Sequence, residues 1–107
     1  MLLGVFAFQA FAQEATIVGT VTDPAGSAIP NATITITATG TDQVRRLTSN
    51  DTGQFVAPDL HIGQYVVRVE AAGFKSVERS GVVLAVGDRS RMDVQMQIGD
   101  TKDSINV

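Results

Sequence analysis

Residues 50–74 restrict the chain's possible folds more than any other stretch. They read Asn-Asp-Thr-Gly-Gln-Phe-Val-Ala-Pro-Asp-Leu-His-Ile-Gly-Gln-Tyr-Val-Val-Arg-Val-Glu-Ala-Ala-Gly-Phe. Turn signals enclose two short extended runs. Asn50-Asp51-Thr52-Gly53 can close on itself, because Asx side chains bond their own backbone and glycine takes positive φ without strain. Residues 54–57 are predicted as a short strand that stops at Pro58 or lies on an edge, since proline cannot donate to a ladder. His61-Ile62-Gly63 turns the chain again. In residues 65–70, Tyr65, Val67 and Val69 point one way and Val66, Arg68 and Glu70 the other, the period of a half-buried strand.

The same grammar extends outward. Residues 15–23 place Ile17, Gly19 and Val21 on one face and Thr16, Val18, Thr20 and Thr22 on the other. Asp23-Pro24-Ala25-Gly26 has proline and glycine where a type I turn prefers them. Residues 32–38 alternate cleanly, with Ala32, Ile34, Ile36 and Ala38 inward and Thr33, Thr35 and Thr37 outward. Residues 43–49 alternate poorly and carry Arg45 and Arg46, which suits an edge strand. A polar strand over residues 74–79 and a separate buried strand over 82–86 are expected. A last strand over 91–98 should turn Met92, Val94, Met96 and Ile98 inward. No stretch sustains a 3.6-residue period, so the expectation is an all-β, two-sheet antiparallel sandwich.

Length and charge narrow the function. The 107 residues suffice for one domain, and the formal net charge is −3. Nucleic acid needs a basic face, and the Arg45-Arg46 pair is the sole basic cluster, so no nucleic-acid partner is expected. The chain has no cysteine, which removes a thiol nucleophile and disulfide staples. Residues 1–12 are apolar and uncharged, too short to span a bilayer, and end in Ala10-Phe11-Ala12, a small-x-small cleavage pattern. They are expected to be a signal peptide with an incomplete positive n-region, leaving Gln13 as the new terminus. Residues 13–98 would form the sandwich, and the polar residues 99–107 a linker toward a downstream domain.

Gly19, Val21, Asp23, Gly26, Ile29-Pro30, Ala32 and Ile34, at this spacing, resemble the opening of carboxypeptidase regulatory-like domains. Thr48, Gly53 and Phe55, then Leu60, Gly63, Tyr65, Val67 and Val69, then Ala72-Gly73-Phe74, resemble the rest of that pattern. The resemblance implies a sandwich of seven or eight strands with transthyretin-like (prealbumin-like) topology. The leader-like start and the tail together resemble the N-terminal domains of Oar-like TonB-dependent outer-membrane receptors. By that resemblance the plug and barrel lie outside this chain, which would be a fragment or truncated frame.

Candidate chemistry is sparse. His61 is the single histidine and sits in a turn, without a nucleophile elbow nearby. Asp51 lacks the alternating acidic ligands and distal glutamate of a calcium loop. Asp23, Asp42, Asp59 and Asp88 read as turn residues. Phe55 and Tyr65 could form a sugar-stacking pair, but both fall on inward positions, and without tryptophan an exposed platform is hard to build. Hydroxyisourate hydrolases of the transthyretin type need several histidines and a Tyr-Arg-Gly-Ser ending. This chain has one histidine and ends Ser-Ile-Asn-Val. The Lys–Asn crosslink of collagen-adhesin B domains needs an early lysine, and none precedes Lys75.

Catalytic, cofactor-binding and metal-binding residues are therefore expected to be none. The expected role is a non-enzymatic accessory domain, exported and associated with the outer membrane on its periplasmic side, or secreted. Its partner would be the downstream plug and barrel, or a periplasmic or surface protein, engaged by strand addition at a sheet edge. A carbohydrate-binding module and an adhesion domain of a surface protein are the rivals.

Overall fold

The computed structural model describes residues 14–99 and the backbone of residues 104–106. The leader-like residues 1–12 and the expected new terminus at Gln13 lie outside the described residues. The described part is all strand and turn: β1 (Glu14–Thr22), β2 (Thr33–Ala38), β3 (Val44–Thr48), β4 (Gln54–His61), β5 (Gly63–Glu70), β6 (Ser76–Leu84), β7 (Arg89–Arg91), β8 (Val94–Gln95) and β9 (Ser104–Asn106). One sheet has the order β4-β1-β7, with β8 also paired to β1, and the other has the order β3-β2-β5-β6-β9. This is the expected two-sheet sandwich. Counting β7 and β8 as one interrupted path along β1, it has eight strands.

The alternation read from the sequence decides which side chains face the space between the sheets. Ile17 and Val21 of β1, Ile34 and Ile36 of β2, and Val67 and Val69 of β5 are all fully buried. Ala32, Phe55, Leu60, Tyr65, Met92, Val94 and Met96 complete one contiguous core. The outer face of β2 carries Thr33, Thr35 and Thr37, paired with Thr48, Arg46 and Val44 on β3 and with Glu70, Arg68 and Val66 on β5. Arg68 there holds Glu70 and Glu78 at 3.0 and 3.2 Å. Val18, expected on an outward face, is also buried, because Val56 of β4 and Arg91 of β7 flank it in register.

Polar residues close the turns as their chemistry demands. Asp23 Oδ1 accepts the N–H groups of Ala25 and Ser27 at 2.9 Å, while Gly26 N–H bonds the Asp23 carbonyl at 2.9 Å. Asn50 Oδ1 accepts from Thr52 N–H, Thr52 Oγ1 and Gln54 N–H. Ser49 is buried and acts as a clip: its hydroxyl donates to the Ile29 carbonyl at 2.7 Å and accepts the Ala32 N–H at 2.9 Å. Every buried side-chain polar atom among the described residues has a partner.

Five expectations need correction. The strand at Gln54 does not end at Ala57; β4 runs through Pro58 to His61, because it is an edge strand and inserts a bulge. Ala15 pairs with Leu60 and Ile17 with Ala57, so Pro58 and Asp59 together face Thr16. Asp59, read as a turn residue, is the left-handed residue of that bulge at φ 60°. Residues 74–79 and 82–86 are not two strands. Ser80 and Gly81 form a second bulge opposite Val66, with Gly81 at φ 69°, and β6 continues beyond it. Val83 and Val86, read as buried, are 64% and 62% exposed, because the bulge shifts the alternation by one residue and β6 then ends. Ile98, expected inward, is 74% exposed: after Met96 bonds the Thr22 carbonyl, the chain leaves β1 and runs along residues 73–75 at the margin.

The segment after β6 also runs in an unforeseen direction. β7 and β8 lie parallel to β1, and Met92 N–H bonds the Val18 carbonyl at 2.7 Å as the chain crosses Gly19. The stretch read as a linker contains β9, which pairs in parallel with the first half of β6.

Candidate functional site

At one end of the sandwich, the β2–β3 hairpin and the crossing from β4 to β5 enclose two adjoining recesses of about 270 and 580 Å³. Gln43, His61 and Tyr65 line both. Ile36 and Leu60 floor the smaller, and Thr39, Thr41 and Gln64 border the larger. The Tyr65 hydroxyl donates to the His61 carbonyl at 2.6 Å and so fixes the crossing. His61 itself is exposed and pairs across the ladder with Glu14.

Beside His61 stands a carboxyl pair that sequence reasoning missed. The Glu14 carboxyl is raised above its ordinary 4.5, chiefly because it hydrogen-bonds Asp59, then through partial desolvation and repulsion by the Asp59 charge; His61 opposes the shift. The bulge at Asp59 makes this meeting, and a bulge is invisible in one strand's own sequence. Among the described residues no cluster of three or more His, Cys, Asp or Glu side chains could hold a metal. Asp51 lies exposed in its turn, and Asn50 spends its side-chain oxygen on local backbone and Thr52. Phe55 and Tyr65 are 3% and 5% exposed, so neither offers a face for a sugar to stack on.

The sheet edges are the other candidate surface. Three carry devices that hinder strand addition. β4 has Pro58 and its bulge, and Arg45 of β3 donates Nη1 to the Pro58 carbonyl at 2.5 Å and Nη2 to the Asp59 carbonyl at 3.4 Å. β3 presents Arg45 and Arg46. β7 is three residues long and carries Arg89 and Arg91. The fourth edge, β6, does accept a strand: Ser76, Val77 and Glu78 pair with Ser104, Ile105 and Asn106. Sequence reasoning foresaw an open edge and placed β3 at one, but not that the chain's own tail would fill part of another.

Residues 16–97 match the family model of the carboxypeptidase regulatory-like domain. The TonB-dependent transporter Oar of Myxococcus xanthus is 36% identical over 89 residues, covering 81% of this chain and 8% of that protein. This chain thus spans a small part of that relative's length. Among solved structures, a candidate carbohydrate-binding protein from Bacteroides uniformis superposes with TM-score 0.62 at 20% identity, over 77% of this chain and 40% of that one. The TIE protein of Bacillus anthracis gives 0.65 at 13%, over 80% and 17%. Catechol 1,2-dioxygenase from Acinetobacter sp. ADP1 gives 0.64 at 11%, over 86% and 55%. At these identities the three share the sandwich and carry nothing about chemistry. The family match spans most of the residues that form both sheets: the chain belongs to the carboxypeptidase regulatory-like domain family.

Proposed function

We propose that this chain is a non-catalytic accessory domain at the N-terminal side of a TonB-dependent outer-membrane transporter. It is exported by way of residues 1–12 and stands on the periplasmic face of the membrane. The observation that carries this reading is the 36% identity to Oar, which extends over 81% of this chain and so covers whole strands and turns rather than a short motif. The turn and core residues that define the family pattern are spent on folding: Gly53, Phe55, Tyr65 and Val67 are all buried.

Its partner is polypeptide, engaged through backbone at a sheet edge. The test is deletion of this domain, in frame, from the parent transporter in its own cell. The expected result is intact barrel insertion with impaired assembly of the receptor complex or reduced uptake. Unchanged assembly and uptake would refute an accessory role. A parent gene encoding further sandwiches and no barrel would instead establish the adhesion-type reading.

A further inference from the structure

Among the described residues, β3 is the one sheet edge that is unfilled, unbroken and free of proline. It pairs with β2 alone, in continuous register from Thr33 opposite Thr48 to Thr37 opposite Val44. β4 carries Pro58 and its bulge, β6 already seats β9 over Ser76 to Glu78, and β7 is three residues long. Which backbone groups β3 leaves open follows from the ladder. In an antiparallel pair, residues that bond the neighbour alternate with residues that turn their N–H and C=O away. Ala38 N–H bonds the Gln43 carbonyl at one end of β3, and Ser49 N–H bonds the Ala32 carbonyl at the other. Counting by two from either end assigns Arg45 and Leu47 to β2. The N–H and C=O groups of Val44, Arg46 and Thr48 therefore face the open side.

The side chains give this edge a sign. The guanidinium of Arg45 is tied across the sheets to the Pro58 and Asp59 carbonyls. Arg68, on the outer face two strands away, is neutralised by Glu70 and Glu78. Arg46, opposite Thr35 on that face, is exposed and has no ion-pair or hydrogen-bond partner among the described residues. It is the middle residue of β3, so a two-fold pairing of β3 with its own copy would set like charges against each other. On the inner side, the recess of about 270 Å³ floored by Ile36 and Leu60 opens beside Arg45. We infer that the β3 edge from Val44 to Thr48 is the domain's docking site, and that its occupant is an extended segment of a partner protein alternating acidic and apolar residues. The acidic side chains lie on the outer face against Arg46, and an apolar one enters the recess. This rests on the proposed accessory role and deepens it by naming the edge and the partner's chemistry. The arginines that deter indiscriminate pairing thus select the partner.

The probe is a synthetic peptide alternating glutamate and valine over about seven residues, enough to cover β3. It is added to the 107-residue chain, and its control carries lysine in place of glutamate. The readout is amide exchange resolved by residue. With the glutamate peptide, exchange at Val44, Arg46 and Thr48 should slow about tenfold, while Arg45 and Leu47, already bonded to β2, change little. The lysine peptide should leave all five unchanged. Arg46→Glu should weaken the glutamate peptide about tenfold and make the lysine peptide the better ligand, with the melting of the sandwich unchanged. Val44→Pro removes one open N–H at the first residue of the strand, where proline is tolerated, and should weaken binding about fivefold. Equal protection by both peptides, or none by either, overturns the inference. Protection of those amides that grows with protein concentration alone overturns it too, by assigning the edge to a second copy. In the parent transporter, assembly or uptake impaired by deleting the domain but untouched by Arg46→Glu overturns the inference and leaves the accessory role standing. No effect of the deletion overturns the accessory role instead, and the peptide comparison then still decides whether β3 docks an acidic strand.

Discussion

Replacing Gly19 by alanine tests the arrangement on which the sandwich closes. A Cβ there would lie 1.9 Å from the Met92 carbonyl oxygen and 2.6 Å from Cζ of Phe55. Atoms in contact want about 3.5 Å, so the crossing segment would have to retreat by more than an ångström. It is not free to do so. Met92 N–H bonds the Val18 carbonyl at 2.7 Å, and the Met92 side chain is buried in the core. Overpacking of a close-packed interior costs about 1–3 kcal/mol, and loss of one backbone hydrogen bond about 1 more. The substitution should therefore destabilise by about 2–4 kcal/mol, against a total of about 5–15 kcal/mol for a domain of this size. In a thermal melt followed by circular dichroism the midpoint should fall by about 8–32 °C, using about 4–8 °C per kcal/mol. Gly40→Ala is the control: it has no neighbour within 4 Å and should change stability by no more than about 0.5 kcal/mol. Adding Phe55→Leu to Gly19→Ala should recover part of the loss, since the ring can yield but the Met92 carbonyl remains. If Gly19→Ala melts with the unsubstituted protein, the last segment does not cross β1 here and the account of that sheet is wrong.

Three further outcomes are expected. Ser49→Ala leaves the Ile29 carbonyl and Ala32 N–H buried without partners and should cost about 2–4 kcal/mol in a urea titration; a neutral result would refute the clip. Ile34→Ala, Val67→Ala and Val94→Ala should each cost about 2–4 kcal/mol, while Val83→Ala, on an exposed site, should change little. Glu14 has a folded-state pKa raised above its unfolded value, so its contribution is present below the unfolded value of 4.5 and is lost as pH rises through the folded one. Glu14→Gln should accordingly be the more stable form at neutral pH, with the gap closing on acidification and shrinking in salt. Thermal midpoints of both proteins from about pH 4 to about pH 8 check this, and a gap independent of pH would refute the Glu14–Asp59 pairing.

The sequence by itself determined what is local. Residues 32–38 and 65–70 state their inward faces in their own period, because a strand's side-chain alternation is fixed by its backbone whatever it pairs with. Turn chemistry is equally local, so Asp23 and Asn50 were legible as turn closers. Tertiary structure alone decided what depends on counting one strand against another. A bulge is such a count: Asp59 read as a turn residue and residues 80–81 as the gap between two strands, and in the sheets they belong to bulges that let β4 and β6 run on. Gly19 occupies an inward position with no side chain, and its reason lies in Met92, far along the chain. The Glu14–Asp59 pair, the end recesses and the seat of β9 on β6 arise the same way, since each joins groups whose distance in sequence is large and whose contact is fixed only when both sheets have formed.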